Sequence, residues 1–364
     1  MIPYWSLYLK SLDFDAKTIG LLMATLHLSR IFAPALWGWI ADKTGRRLQI
    51  IHTGALLTWI IFIAMFWQDS AVGIALVMLG YSFFWNAVLP QFEVVTLNHL
   101  GTARSKYSRV RLWGSIGFIL AVLLVGHLLD NVSVSWIPSI LLLLMILIWL
   151  NSLLIPEVKK TDGEGLLESL NFKDVIFKPQ IIAFFFITLL IQFSHGPYYT
   201  FFSLMMQSLE YTRTQIGMLW SLGVVAEILV FVVMHTLIVR FGLRSIMLVS
   251  LMLCVVRWTL LAFWPENLAM VIVAQLLHAA TFGSLHAVGI SLVHHYFPET
   301  MQGRGQALFS SVGFGVGGTA GAVVADLLWG SYGSAVTFSV AAAVSLVAIV
   351  LAYVWIHPEK VQQN

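Results

Sequence analysis

The chain has 364 residues, of which 59% are hydrophobic and only 10% charged, against about 25% charged in an ordinary soluble protein. With 14 Trp, 24 Phe and 13 Met and a mean hydropathy of +0.88, the apolar surface exceeds what one aqueous core can hide, so an all-α polytopic membrane protein is predicted. A net charge of +3 is too small to point to nucleic acid, and the single cysteine, Cys254, excludes an intrachain disulfide framework and a multi-cysteine metal site.

A bilayer-spanning helix needs about 20 mostly apolar residues. Met1 to Leu9 is apolar but reaches barely half-way at about 1.5 Å per residue, and it lacks the charged n-region and cleavage site of a signal peptide. Eleven full-length stretches follow, at 18–41, 48–67, 71–93, 111–129, 135–155, 180–206, 216–239, 245–264, 268–297, 307–329 and 335–356. The polar segment 156–178 is read as a linker between an N-terminal bundle, 1–155, and a C-terminal bundle, 179–364. Fifteen basic residues, from Lys43 to Lys360, fall on one side of these spans, against Lys10, Lys17 and Arg213 on the other. The side rich in Lys and Arg, which also receives the C-terminus, is expected to be cytoplasmic.

The two bundles read as repeats. A shift of 197 positions lays residues 3–47 on 200–244 without a gap, matching among others Ser6 with Ser203, Ile19 with Ile216, Gly20 with Gly217, Gly45 with Gly242 and Arg47 with Arg244. A shift of 196 lays Leu112, Ser115, Gly117 and Phe118 on Leu308, Ser311, Gly313 and Phe314. Two distant stretches with one offset predict a six-plus-six duplication, a transporter architecture. The same offset places the start of helix 7 about 17 residues upstream of Met1, so most of helix 1 is expected to be missing from this sequence.

The loop after helix 2 reads Gly38-Trp-Ile-Ala-Asp42-Lys43-Thr-Gly45-Arg46-Arg47. Gly38 would permit close helix approach and Gly45 a tight turn, while Asp42 can accept from basic groups or a helix N-terminus. The run resembles the cytoplasmic signature of the major facilitator superfamily, Gly-x-x-x-Asp-Arg/Lys-x-Gly-Arg-Arg/Lys, at every specified position. That resemblance implies a twelve-helix fold in which Gly38, Asp42, Gly45, Arg46 and Arg47 latch the cytoplasmic ends of the bundles. Val239 stands in place of the Asp in the second half.

Within that superfamily, Val110-Arg-Leu-Trp-Gly-Ser115, Ser221 through Glu227, Val255-Val-Arg-Trp258 and Leu277-His278 through Thr281-Phe282 to His286 are similar to the phenylpropionate permease family, proton-linked importers of 3-phenylpropionic acid. Pro3-Tyr-Trp-Ser6 resembles the end of helix 1 there. The resemblance implies a bacterial inner membrane location, no cofactor, and a small-molecule substrate moved with protons.

Charges inside the bilayer cost roughly 2.5 to 3.5 kcal/mol each at a helix centre and are usually functional. Arg30 in helix 2 and Glu227 in helix 8 occupy the same repeat position with opposite charge, and Arg257 and His278 lie at depths similar to Glu227. A Glu in helix 8, an Arg in helix 9 and a His in helix 10 also resemble the lactose-type proton symporters, where such a trio handles the proton. A structural ion pair that fixes helix register suits the same residues. Glu93 and Arg111 flank the hairpin between helices 4 and 5 and could meet across it; a solvated Arg111 is the alternative. Gln275, His278, Phe282 and His286 share one helical stripe, and His195-Gly196-Pro197-Tyr198-Tyr199 is expected to interrupt helix 7, as broken helices do in transporters. Arg30 or Arg257 could hold a substrate carboxylate, while Trp85, Tyr198, Tyr199 and Trp220 could stack on a ring. The glycines of helix 11, from Gly313 to Gly321, read as packing residues.

No zinc-site or nucleotide-binding spacing appears in the sequence. The expectation is therefore a monomeric secondary transporter that imports a small organic solute, an aromatic carboxylate such as 3-phenylpropionate, with protons. A sugar or nucleoside symporter, a drug exporter and a non-transporting sensor are the competing readings, and an intramembrane enzyme is disfavoured by the duplication.

Overall fold

The computed structural model describes residues 2–100, 107–156, 172–298 and 301–357. Every regular element among them is helical, which suits lipid because a helix satisfies its own backbone donors and acceptors. The N-terminal half holds α1 (Ile2–Ser11), α2 (Ala16–Leu28), α3 (Ala33–Thr44), α4 (Arg47–Ile63), α5 (Ala71–Leu100), α6 (Tyr107–Asn131) and α7 (Ile137–Ser152). The C-terminal half holds α8 (Phe172–Ile176), α9 (Pro179–Ser208), α10 (Arg213–Phe263), α11 (Leu268–Leu276), α12 (Leu285–Tyr296), α13 (Gln302–Ser310) and α14 (Gly318–Trp355).

Nine helical runs among the described residues are long and apolar enough to cross a membrane. Two of them, 51 and 54 residues long, each hold two of the predicted spans, joined at the left-handed glycines Gly242 (φ 75°) and Gly333 (φ 78°). All eleven predicted spans are thus present. Of the expected linker 156–178, residues 157–171 lie outside the described residues, and the short helix α8 occupies its end.

The span predicted at 18–41 is not one helix. It breaks into α2, a 3-10 turn at Ser29–Ile31, and α3, because Pro34 in the first turn of α3 has no N–H to return to the carbonyl of Arg30. The predicted interruption of helix 7 is absent: α9 runs unbroken through Pro197. The carbonyl that Pro197 cannot serve is that of Phe193, and it packs against Gly321 of α14, where the missing side chain leaves room.

The repeat persists in the backbone. Asp13 (φ 62°) and Glu210 (φ 65°), the left-handed non-glycine residues among those described, are 197 positions apart, as are Gly45 (φ 68°) and Gly242. Asp15 and Thr212, again 197 apart, begin α2 and α10 with side-chain caps. We call the end where α2 and α10 start the upper end, and the end with Gly45 and Gly242 the lower end.

At the upper end the two halves are hydrogen-bonded. Gly126 of α6 and Gly217 of α10 face the Tyr4 hydroxyl, which donates to the carbonyls of Val122 (2.8 Å) and Arg213 (3.3 Å). Asp130 at the end of α6 accepts from the backbone N–H groups of Arg213 (2.7 Å) and Thr214 (3.1 Å) and from the Thr214 hydroxyl. Thr212 and Gln215 complete a capping box below them. Asp130→Ala is expected to cost about 1 kcal/mol of stability, a drop of roughly 2 °C in a melting experiment on the purified protein. An unchanged midpoint would show that the cap bears no load.

Candidate functional site

The centre of the C-terminal half is organised by Arg257 of α10, which is fully buried. Its Nη1 donates to His278 Nδ1 (3.0 Å) and to the Thr281 hydroxyl (2.9 Å), and its Nη2 lies 3.5 Å from Gln275 Oε1. The guanidinium also covers the Tyr198 ring at 4.4 Å and the Trp258 ring at 4.6 Å. Tyr198 in turn donates to Gln275 Oε1 at 3.0 Å. Arginine can only donate, so His278 Nδ1 must present a lone pair and carry its proton on Nε2. That atom is 3.8 Å from Glu227 Oε2, an ion-pair distance longer than a hydrogen bond. Arg257, His278 and Glu227 therefore form a chain with one gap left to close.

The irregular backbone here was not predicted. Residues Ala279–Ser284 form a π turn directly after His278, a feature that often marks functional positions. Gly223 lets the His278 ring approach α10, and a Cβ built on Gly283 would stand 2.9 Å from Glu227 Cγ. Gly283→Ala should therefore push Glu227 aside and cost about 1–3 kcal/mol, read as a lowered melting midpoint. The same change in a Glu227→Ala background should cost much less, and equal losses in both backgrounds would contradict the assigned contact.

Arg111 of α6 is exposed and makes no ion pair among the described residues, but it stands within electrostatic reach of this centre. Gly126 faces the Arg213 carbonyl and Gly217 the Val122 carbonyl. Continuing that antiparallel register residue for residue brings Arg111 level with Ile228, beside Glu227. Its charge acts on both Glu227 and His286. The hairpin contact expected between Glu93 and Arg111 is not formed, and Glu93 makes no ion pair among the described residues. It lies on α5 two turns below Asn86, about 10 Å along the helix.

From the other half comes Arg30, in the turn that Pro34 creates. Among the described residues it makes no hydrogen bond or ion pair, and the groups within its electrostatic reach include the Tyr81 and Tyr199 hydroxyls. Tyr199 feels Arg30, Arg257 and Glu227 at once, so it stands between the halves. The adjacent wall is aromatic. Tyr199 stacks on Trp220 at 6.1 Å, and Phe282 stacks between His278 (5.2 Å) and His286 (6.3 Å). Trp220 is held by its Nε1 donating to Ser203 Oγ at 3.0 Å. A narrow crevice lined by Thr188, Gln192, Phe282, His286 and Phe309, with room for about one water molecule, continues the stripe.

Other expected residues sit elsewhere. His195 is fully buried, bonds the Ile191 carbonyl at 2.8 Å and meets Trp258 edge-on, while its Nε2 has no hydrogen-bond partner among the described residues. Trp85 is half-buried. At the lower end Gly45 turns left-handed to close α3, Arg46 is exposed, and Arg47 donates to Gln91 Oε1 at 2.6 Å. A Cβ built on Gly38 meets nothing within 4 Å, so close approach is not what Gly38 provides in this structure. The Asp42 side chain lies outside what is described. Sequence reasoning gave Thr281 and Gly283 no role of their own; a glycine and a hydroxyl inside an apolar run are weak signals.

The model of the MFS_1 like family matches residues 1–340. A Probable 3-phenylpropionic acid transporter from Escherichia coli (strain K12) is 30% identical over 356 residues, covering 96% of this chain and 92% of that protein. The Nucleoside permease NupG of the same organism is 23% identical over 337 residues, covering 86% of this chain and 80% of its own. The crystal structure of nucleoside transporter NupG superposes with a TM-score of 0.83 at 18% identity, covering 98% of this chain and 96% of that one.

Proposed function

The chain belongs to the MFS_1 like family of membrane transporters, and on that footing we propose that it imports an aromatic carboxylate, such as 3-phenylpropionate, together with protons by alternating access. The lower end would face the cytoplasm, as its Lys and Arg content suggests, and the Tyr4 and Asp130 contacts would seal the external side. The observation that carries the substrate class is the charge balance at the centre. The centre holds three guanidiniums, of Arg30, Arg111 and Arg257, against the one carboxylate of Glu227 among the described residues, so it is net positive even with Glu227 ionised. Arg257 is consumed by internal bonds and Arg111 faces Glu227, leaving Arg30 to take a carboxylate beside the rings of Tyr199 and Trp220.

A sugar or nucleoside needs free hydrogen-bonding groups instead. Here Asn86 donates to Ser29 Oγ at 2.8 Å and Gln275 Oε1 accepts from Tyr198, while Gln275 Nε2 and His286 Nδ1 have no hydrogen-bond partner among the described residues, so competition by neutral solutes is the discriminating measurement. The test is uptake of radiolabelled 3-phenylpropionate into vesicles carrying the purified protein, with uridine and maltose as competitors. Saturable uptake enhanced by an inward proton gradient is expected. Transport of uridine or maltose without any aromatic carboxylate would overturn the reading.

A further inference from the structure

Asp326 of α14 is 1% exposed, and neither of its carboxyl oxygens has a hydrogen-bond partner among the described residues. It is the repeat counterpart of Asp130, 196 residues earlier, and the two are treated in opposite ways. Asp130 is held as a charged cap by three donors from α10. Asp326 lies against α2, with its Cγ 2.7 Å and its Oδ1 2.8 Å from where a Cβ on Gly20 would stand. The two donors of α2 nearest to Gly20 in the first turn are already used. Thr18 N–H goes to the Asp15 carboxylate at 2.8 Å and Ile19 N–H to the Asp15 carbonyl at 3.0 Å. The charges acting on Asp326 are Asp15 and Lys17, both at the start of α2; α9 and α10, which also pack on α14, bring none among the described residues. Asp15 is held below the ordinary carboxylate range by its hydrogen bonds from Thr18, so it is an anion. A second carboxylate buried nearby without donors would cost several kcal/mol if ionised.

We propose that Asp326 is a proton-binding site of the external gate: its carboxylate takes one proton from external water as α14 closes on α2 and returns it to the same side when they part. The proposal rests on the alternating-access reading with the upper end external. Because the proton goes back where it came from, this site adds nothing to transport stoichiometry and is separate from Glu227. It makes closure of the gate favoured by external acid. The sign follows from the closed form binding one more proton than the open one.

The experiment places spin labels at Asp69→Cys and Glu266→Cys, in upper-end loops of the two halves, in the full chain in liposomes with Cys254→Ser. Glu227→Gln is included so that this carboxyl is silent, and no substrate is present. Between about pH 8 and about pH 5 the ratio of short to long distances should rise, by at most about tenfold per pH unit, the limit for one proton. Asp326→Asn should stay closed throughout with no slope. Gly20→Ala keeps the carboxyl but holds α14 off α2, and should keep the labels apart at both values. A ratio independent of pH before either change, or the parent slope retained in Asp326→Asn or in Gly20→Ala, overturns the proposal. Failure to transport any carboxylate would leave these distances unchanged, so the two readings fail separately.

Discussion

Glu227→Gln is expected to exchange labelled substrate across the membrane at close to the normal rate while losing accumulation against a gradient. The carboxylate sits midway along the first span of α10, between Arg213 and Gly242, one short movement from His278 Nε2. His278 is fixed as a donor toward it by Arg257, which occupies the other ring nitrogen. When His278 or Arg111 closes on Glu227, its charge gains a partner; when neither does, an ionised carboxylate at that depth is costly. The amide mimics the protonated form permanently, so under the proposed mechanism the alternation that would tie proton movement to substrate movement is removed. With one proton per substrate, a gradient of one pH unit supports about tenfold accumulation, which should fall to about onefold in the variant. Counterflow and uphill uptake measured in parallel decide it. Normal proton stoichiometry in Glu227→Gln would sink the assignment, and loss of coupling in Glu93→Gln instead would move it to α5.

The second large effect belongs to Arg30. Arg30→Ala should weaken binding of an aromatic carboxylate by about 2 kcal/mol, the value of a charge-assisted hydrogen bond, which is a loss near thirtyfold in affinity. Arg30→Lys should recover only part of it, because an ammonium cannot reproduce the planar fork. Binding of the neutral amide analogue should be nearly the same in all three proteins. Equal losses for acid and amide would show that Arg30 shapes the site without reading charge. Arg257→Lys makes a useful contrast, since that guanidinium holds His278, Thr281 and Gln275 together and its loss should lower the melting midpoint as well as activity.

Span positions were legible because lipid imposes a length and composition that few other demands produce, and the trio of Glu227, Arg257 and His278 was legible because charge at such depth is rare. What escaped the sequence is local. Pro34 breaks helix 2 whereas Pro197 leaves α9 whole, and the difference is the neighbour: α14 offers Gly321 to the freed carbonyl of Phe193. Sequence gives the proline but not what lies across from it. The π turn after His278 depends likewise on the fit of Gly283 to Glu227 across two helices. Arg111 looked like a rim residue from its place beside a polar loop, and only the register of α6 on α10 carries it down to the level of Glu227.

The two seams of the upper end are fastened by different means. Separating α6 from α10 strips Arg213 and Thr214 of the acceptor that Asp130 supplies, whereas α2 caps itself through Asp15 and, among the described residues, leaves α14 without breaking a side-chain hydrogen bond. Under the same rocking force the second seam yields first. The mouth should therefore swing open like a door hung on the α6 side, admitting solute between α2 and α14, so bulky residues placed along Gly20 and Asp326 would obstruct passage long before the same bulk at Gly126 and Gly217 did.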